Sequence, residues 1–367
     1  MEQLHSLLYR FPQFFFPFRQ SHPPFPLFRL PLVAYKNVID LMTSCEQFSL
    51  SLCSRKANSI VKNIRHRPKS LELWVIGVNH VGVATGYFET IISERLCYSV
   101  IKSTKTSPDS DPVEAVMIRG NIVPAQINMT QSGNHHLETY WDDEDFGLRM
   151  ITDYVCDLFR VNIFSMMIRK DYRKMSYWLR KRQSFVNMLE IRGKPRIGYK
   201  EFKNVLWNNN SEILIIDASV SKHFRLRNYI KKVRFVQFCN CSWITMEDLM
   251  RVDVPRIDVL SGKMFTNQDV NRFLKHWMKG GSPRLKQIRL ILEDWDEEVF
   301  LEGINVQDGT PAELFYTGYF YGFEFDIDHA KYIVREDETK ASFGFNDDIF
   351  FFVVWPDSIG RTFESFH

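Results

Sequence analysis

A chain of 367 residues with 47 Lys and Arg against 44 Asp and Glu has a formal charge of only +3, which argues against a protein built to coat nucleic acid or an anionic membrane. Its length is roughly two to three times that of a usual domain, so more than one folding unit is expected. The six cysteines, Cys45, Cys53, Cys97, Cys156, Cys239 and Cys241, stand at irregular positions and fit reduced thiols of a cytoplasmic and/or nuclear protein rather than a disulfide framework.

Residues 1–25 are rich in Phe and Pro, but Arg10, Pro12, Pro17 and Arg19 interrupt every apolar run. No run reaches the length of a membrane span or a signal segment, so 1–25 reads as a disordered extension and the chain as soluble. From Leu30-Pro31 onward three short helices are predicted. The first runs from about Val33 to Met42, with Val38, Ile39, Leu41 and Met42 assigned to one side. Thr43 and Glu46 have capping-box spacing and open a second helix carrying Phe48 and Leu52. Ser54 caps a third, in which Ala57, Ile60, Val61 and Ile64 follow the i, i+3, i+4, i+7 rule. Helices this short cannot bury all their apolar surface against one another, so either the rest of the chain or another protein must cover it.

The wording of this block, FPLFRLPLVAYKNVIDLM followed by EQFSLSLCSRKANSIVKNI, resembles the nematode-type F-box over residues 26–64. Beyond it, Leu71 to Ile76, Tyr87 to Ile92 and Leu96 to Ile101 are predicted strands, Thr104 to Pro112 a loop, and Trp141-Asp-Asp-Glu-Asp145 an acidic patch.

From about Leu158 to Trp295 a short apolar pattern recurs at Val161/Ile163, Leu189/Ile191, Ile213/Ile215, Val236/Phe238, Ile257/Val259 and Ile288/Leu290. The intervals are 28, 24, 23, 21 and 31 residues, which bracket the leucine-rich-repeat period of about 20–29. Cys241 stands where such repeats place Asn or Cys; Glu293 at the corresponding place breaks the pattern. Thr245/Asp248 and Thr266/Asp269 start helices, the second with Val270, Phe273, Leu274 and Trp277 as its stripe before Gly280-Gly281. Strand, helix and parallel strand in alternation give either a solenoid or a doubly wound sheet, and an irregular leucine-rich-repeat-like arc is preferred. Aromatic strands at Phe315 to Phe325, Lys331 to Val334, Ala341 to Phe345 and Ile349 to Trp355 would cap its end as an antiparallel sheet.

The fold class is therefore α/β: a three-helix block, an irregular strand/helix arc and a C-terminal antiparallel cap. The expected divisions are 1–25, 26–68, a β-rich connecting section 69–150, the arc 151–300 and the cap 301–367. CNCSWITMEDL and FTNQDVNRFLKHWMKG, within about 204–277, resemble the F-box-associated (type 2) domain of the same family, as does the closing FFVVWPD.

No catalytic constellation is present in the sequence. Gly77, Gly82 and Gly86 lack G-x-G spacing, and neither G-x-S-x-G nor H-E-x-x-H occurs. Cys239-Asn-Cys241 has no second ligand pair, His135 and His136 read as loop residues, and Asp142, Asp143, Glu144 and Asp145 as a solvated acidic loop. Trp243, Trp277 and Trp295 are large enough for binding hot spots, but core positions are preferred. The resemblance implies a non-catalytic substrate-recognition subunit of an SCF ubiquitin ligase, needing no cofactor or metal. Its partners would be a Skp-type adaptor, through it a cullin, and an unidentified protein substrate. Adaptor contacts carried over by motif are Leu30, Pro31, Val38, Ile39, Phe48, Leu52, Ile60 and Val61. Two alternatives stand beside this: an F-box scaffold or sensor without a degradative role, and, less favoured, a nucleic-acid module using Lys170, Arg173, Lys174, Arg180, Lys181 and Arg182.

Overall fold

Pro31 ends an extended entry and Leu32–Leu41 (α1) follows it, with Ser44–Leu52 (α2) and Arg55–Ile64 (α3) close behind. The computed structural model describes residues 26–64, 71–77, 79–85, 97–103, 114–129, 135–193, 196–226, 229–230, 232–308, 314–319, 324–327, 331–346 and 348–366. The extension 1–25, the expected strand at 87–92 and the expected loop at 104–112 lie outside the described residues. The chain divides into two compact units between Met166 and Met167.

In the first unit the three helices precede β1 (Leu71–Ile76), β2 (His80–Thr85), β3 (Cys97–Ser103), β4 (Glu114–Ile118), β5 (Asn121–Met129), β6 (His135–Trp141) and α4 (Glu144–Phe159). β7 (Ile163–Ile168) then leads out of the unit, its Ile163, Ser165 and Met166 pairing in parallel with β1. β1, β2 and β3 form an antiparallel meander, β6 joins β3 in parallel, and β5 and β4 complete that edge. The sequence reading had no signal for β2, β4, β5 and β6. α4 is fixed by its start: Asp143, read above as part of a solvated acidic loop, accepts the Asp145 and Phe146 amide N–H bonds as N-cap. Gly147 lies so close to the Trp141 ring that a Cβ there would come within 2.5 Å of it. Leu148, Ile151, Val155 and Leu158 of α4 are buried. Glu138 on β6 is also buried, and receives Lys102 at 2.6 Å, His136 at 3.0 Å and Tyr140 at 3.1 Å.

In the second unit α5 (Tyr172–Arg182), β8 (Val186–Gly193), α6 (Tyr199–Trp207), β9 (Ser211–Ala218), β10 (Phe235–Cys239), α7 (Met246–Met250), β11 (Arg256–Val259), α8 (Asn267–Met278) and β12 (Gln287–Ile291) alternate. β8 to β12 run parallel, each beside its neighbour in the chain. A doubly wound sheet reverses its strand order at a switch point; this sheet does not. Leu189, Leu214, Val236, Ile257 and Ile288 align across it, and Ile191, Ile216, Phe238, Val259 and Leu290 form the next row. The expected pair Ile213/Ile215 is thus one residue out of phase, since both faces of β9 are apolar and its pattern does not mark the helix side. The Cys241 thiol donates to the Ile216 carbonyl at 3.2 Å, and the Trp243 indole donates to Ala218 at 2.8 Å.

After α9 (Glu297–Phe300) and β13 (Gln307–Asp308), β14 (Leu314–Thr317) and β15 (Glu324–Ile327) pair as a separate antiparallel ladder, so Phe315 to Phe325 is not one strand. β16 (Lys331–Val334), β17 (Lys340–Asn346) and β18 (Ile349–Val354) continue the main sheet, β18 pairing antiparallel with β12 and covering its edge. Trp277 of α8 is fully buried and meets Phe352 edge-on at 5.1 Å; Trp243 is buried too, whereas Trp295 is half exposed against Phe300. On the opposite face of the strands, Asp258 joins Arg256 at 2.8 Å and Arg289 at 3.1 Å, and both Asp258 and Arg256 are wholly out of solvent.

Asp258→Ala leaves the Arg256 guanidinium buried without its counter-charge, and a loss of about 3–5 kcal/mol is expected in denaturant melts. Glu138 gives a pH signature. Burial pushes its carboxyl up, but the bonds from Lys102, His136 and Tyr140 outweigh that and hold it at about 2, below its ordinary 4.5. Its stabilising contribution is therefore present above about pH 4.5 and is lost as pH falls toward 2. Glu138→Gln is expected to flatten that acid limb in melts across the range.

Candidate functional site

Tyr154 of α4 hydrogen-bonds two of the three N-terminal helices. Asn58 of α3 donates through Nδ2 to the Tyr154 hydroxyl at 2.7 Å, and Ser51 Oγ of α2 lies 2.8 Å from the same hydroxyl. Because the Ser51 hydroxyl donates to the Phe48 carbonyl at 2.6 Å, its oxygen is left to accept from Tyr154. The chain of donation runs Asn58, Tyr154, Ser51, Phe48. The Phe48 ring meets Tyr154 edge-on at 5.7 Å, and burial pushes the Tyr154 phenol above its usual range. α1 is tied to α2 by the Gln47 amide, which donates to the carbonyls of Ile39 and Met42. The capping box of Thr43 and Glu46 is formed in both directions, and Ser54 Oγ accepts from Ala57.

This seating decides which apolar side chains stay outside. Ile39, Phe48, Leu52 and Val61, four of the eight expected adaptor contacts, are buried by their own chain. Periodicity marks an apolar face without saying what covers it. Of the other four, Leu30, Val38 and Ile60 are half-buried and Pro31 is exposed. The residues the sequence reading passed over are Leu32, Val33 and Leu41, which are 60%, 70% and 60% exposed. Leu41 was expected on the same side as Ile39 and Met42; those two are buried and Leu41 is not.

On α1, Val33, Ala34, Asn37, Val38 and Leu41 follow i, i+1, i+4, i+5, i+8 and so share one side. None of the five is buried. The opposite side carries Ile39 into the core. A helix that is apolar on both sides requires cover on both, and the first unit supplies it on one. The signal was present in the sequence as a helix with too many apolar residues for a single face.

A family model described as "F-box domain" matches residues 27–69, and a second, described as "F-box associated", matches residues 222–290. The chain thus carries an F-box domain followed by an F-box-associated domain. The first match covers α1, α2 and α3; the second spans β10 to β12 with α7 and α8. The chain is 20% identical over 303 residues to the Skn-1 dependent zygotic transcript 15 protein of Caenorhabditis elegans, covering 78% of this chain and 85% of that one. It is 22% identical over 352 residues to an uncharacterized protein of the same organism, covering 94% and 97%. No solved structure matches the chain significantly. Among the described residues no three or more His, Cys, Asp or Glu are grouped to hold a metal ion, and no helix is long and apolar enough to cross a membrane.

Tyr154→Phe removes the hydroxyl that links α2 and α3 and is expected to cost about 1–3 kcal/mol, with faster hydrogen exchange in Ser44–Leu52 and Arg55–Ile64. Val33→Ser/Leu41→Ser changes only exposed positions of the F-box, and its melting should stay within about 1 kcal/mol of the parent chain.

Proposed function

We propose that this chain is a substrate receptor of an SCF-type ubiquitin ligase, in which the F-box docks a Skp-type adaptor and the second unit recruits a protein substrate. F-box domains generally bind adaptors of this kind, and F-box and F-box-associated domains are non-catalytic. The observation that carries the reading is the outward side of α1, the helix that follows the Leu30-Pro31 entry, where none of Val33, Val38 and Leu41 is buried by the chain itself. Exposed apolar anchors next to a rigid, well-tied scaffold are the composition of an interface core. The work done would be proximity: the chain holds a substrate near the charged ubiquitin carrier, and bond-making chemistry belongs to other subunits.

Within this reading the parallel strands of the second unit form an irregular leucine-rich-repeat-like arc. Their order along the chain, and the Cys241 thiol turned onto a backbone carbonyl of the preceding strand, support it. The adaptor contacts on this reading are Leu30, Pro31, Val38 and Ile60 from the sequence, joined by Leu32, Val33 and Leu41 from the structure.

Val33→Glu/Leu41→Glu should abolish co-purification with a recombinant Skp-type adaptor while leaving the circular dichroism spectrum and melting unchanged. Leu30→Ala/Pro31→Ala should weaken capture as well. Undiminished capture by both variants would overturn the docking surface.

A further inference from the structure

The most one-sidedly charged helix of the second unit is α5. Arg173, Lys174, Tyr177, Arg180 and Lys181 follow i, i+1, i+4, i+7, i+8, and all five are exposed, while Tyr172, Met175, Ser176 and Leu179 are buried. One side of one helix therefore gathers four cations around a single aromatic ring. Tyr177 is 55% exposed, and the Lys181 ammonium lies 5.6 Å from its ring centre. Arg180 Nη1 donates to Asn208 Oδ1 at 2.7 Å, which fixes its guanidinium toward the end of α6.

This arrangement works against the helix that bears it. Arg173 and Lys174 stand in the first turn, where the positive end of the helix dipole disfavours cations, and that turn contains no acidic residue. The N-cap Asp171 has a left-handed backbone, φ 47°, and makes no side-chain cap. A basic last turn suits the dipole; a basic first turn does not.

The same residues line a cavity of about 530 Å³, with Arg173, Lys174, Tyr177 and Arg180 on α5, Asn204 and Glu201 on α6, and Asp171 at the turn. The Asp171 and Glu201 carboxylates distinguish between classes of polyanion. Regularly spaced phosphates would meet both, whereas a peptide can place neutral residues opposite them. α5 has 11 residues and so offers a track of only about 16 Å, short for a nucleic-acid backbone and adequate for a few residues of extended chain.

We infer that the groove between α5 and α6 binds an acidic segment of a protein chain, with an apolar side chain of that segment against Tyr177. In taking this segment to belong to the recruited substrate, the inference rests on the receptor reading above.

The test uses the full chain and a fluorescein-labelled peptide of glutamates around a central leucine, followed by anisotropy. Arg173→Glu/Lys174→Glu should weaken binding on the order of tenfold. The charge-matched Lys222→Glu/Lys279→Glu, at exposed positions outside the groove, should bind as the parent chain does. Tyr177→Ala should weaken the leucine-bearing peptide more than an all-glutamate one. Arg173→Gln/Lys174→Gln provides a milder variant if charge reversal disturbs folding. Adaptor capture, measured on the same preparations, should be unaffected by all of these, so loss of the groove and loss of F-box docking are told apart. The inference is overturned if the parent chain does not bind the peptide, or if the groove variants and the charge-matched control weaken it equally. Tighter binding of single-stranded DNA of equal length through the same residues would also overturn it and favour the nucleic-acid reading.

Discussion

Tyr154 is the residue on which the N-terminal part of the molecule turns. A phenol placed among Phe48, Ser51 and Asn58 joins two short helices to a longer one through a directed relay of hydrogen bonds. Short helices are marginal alone, and most of their stability comes from packing an apolar face. Here Phe48, Leu52 and Val61 are buried within the first unit, and the polar relay fixes the orientation in which they are buried. Once that orientation is set, the outer side of α1 has no choice but to face away.

The second unit solves a different problem. Its parallel strands must be covered on the apolar face; among the helices between them, Phe202 of α6 meets Trp243, which follows β10, and Trp277 of α8 meets Phe352 of β18. The exposed edge of β12 is closed by β18, which turns a repeating stack into a finished sheet. The polar face of these strands tolerates a fully buried ion pair because Asp258 serves two arginines and the Arg256 guanidinium also lies 4.4 Å from the centre of the Phe235 ring. On α5 the cations Arg173 and Lys174 stand in a first turn that contains no acidic residue, where the helix dipole disfavours them.

Much of this was legible in the sequence because the signals were local. Thr43 with Glu46, Thr245 with Asp248 and Thr266 with Asp269 each specify a helix start through atoms three residues apart, and all three boxes form. Strands β8, β10, β11 and β12 were marked by apolar pairs in the right phase; β9 was not, because Ile213, Leu214, Ile215 and Ile216 are apolar on both faces. Strands β2, β4, β5 and β6 gave no signal, since their identity depends on antiparallel partners rather than on their own pattern. Asp143 read as one of a run of solvated acids until the start of α4 made it a cap.

The sequence alone determined that a three-helix block opens the fold, that parallel strands and helices alternate after it, and that an F-box and an F-box-associated domain occur in that order. These follow from short-range capping, periodicity and wording. Only the tertiary structure decided which apolar residues remain available. Ile39, Phe48, Leu52 and Val61 turn inward and Leu32, Val33 and Leu41 outward. Burial is a property of what packs against a residue from elsewhere in the chain, and an apolar stripe has the same spacing whether its own molecule or another covers it.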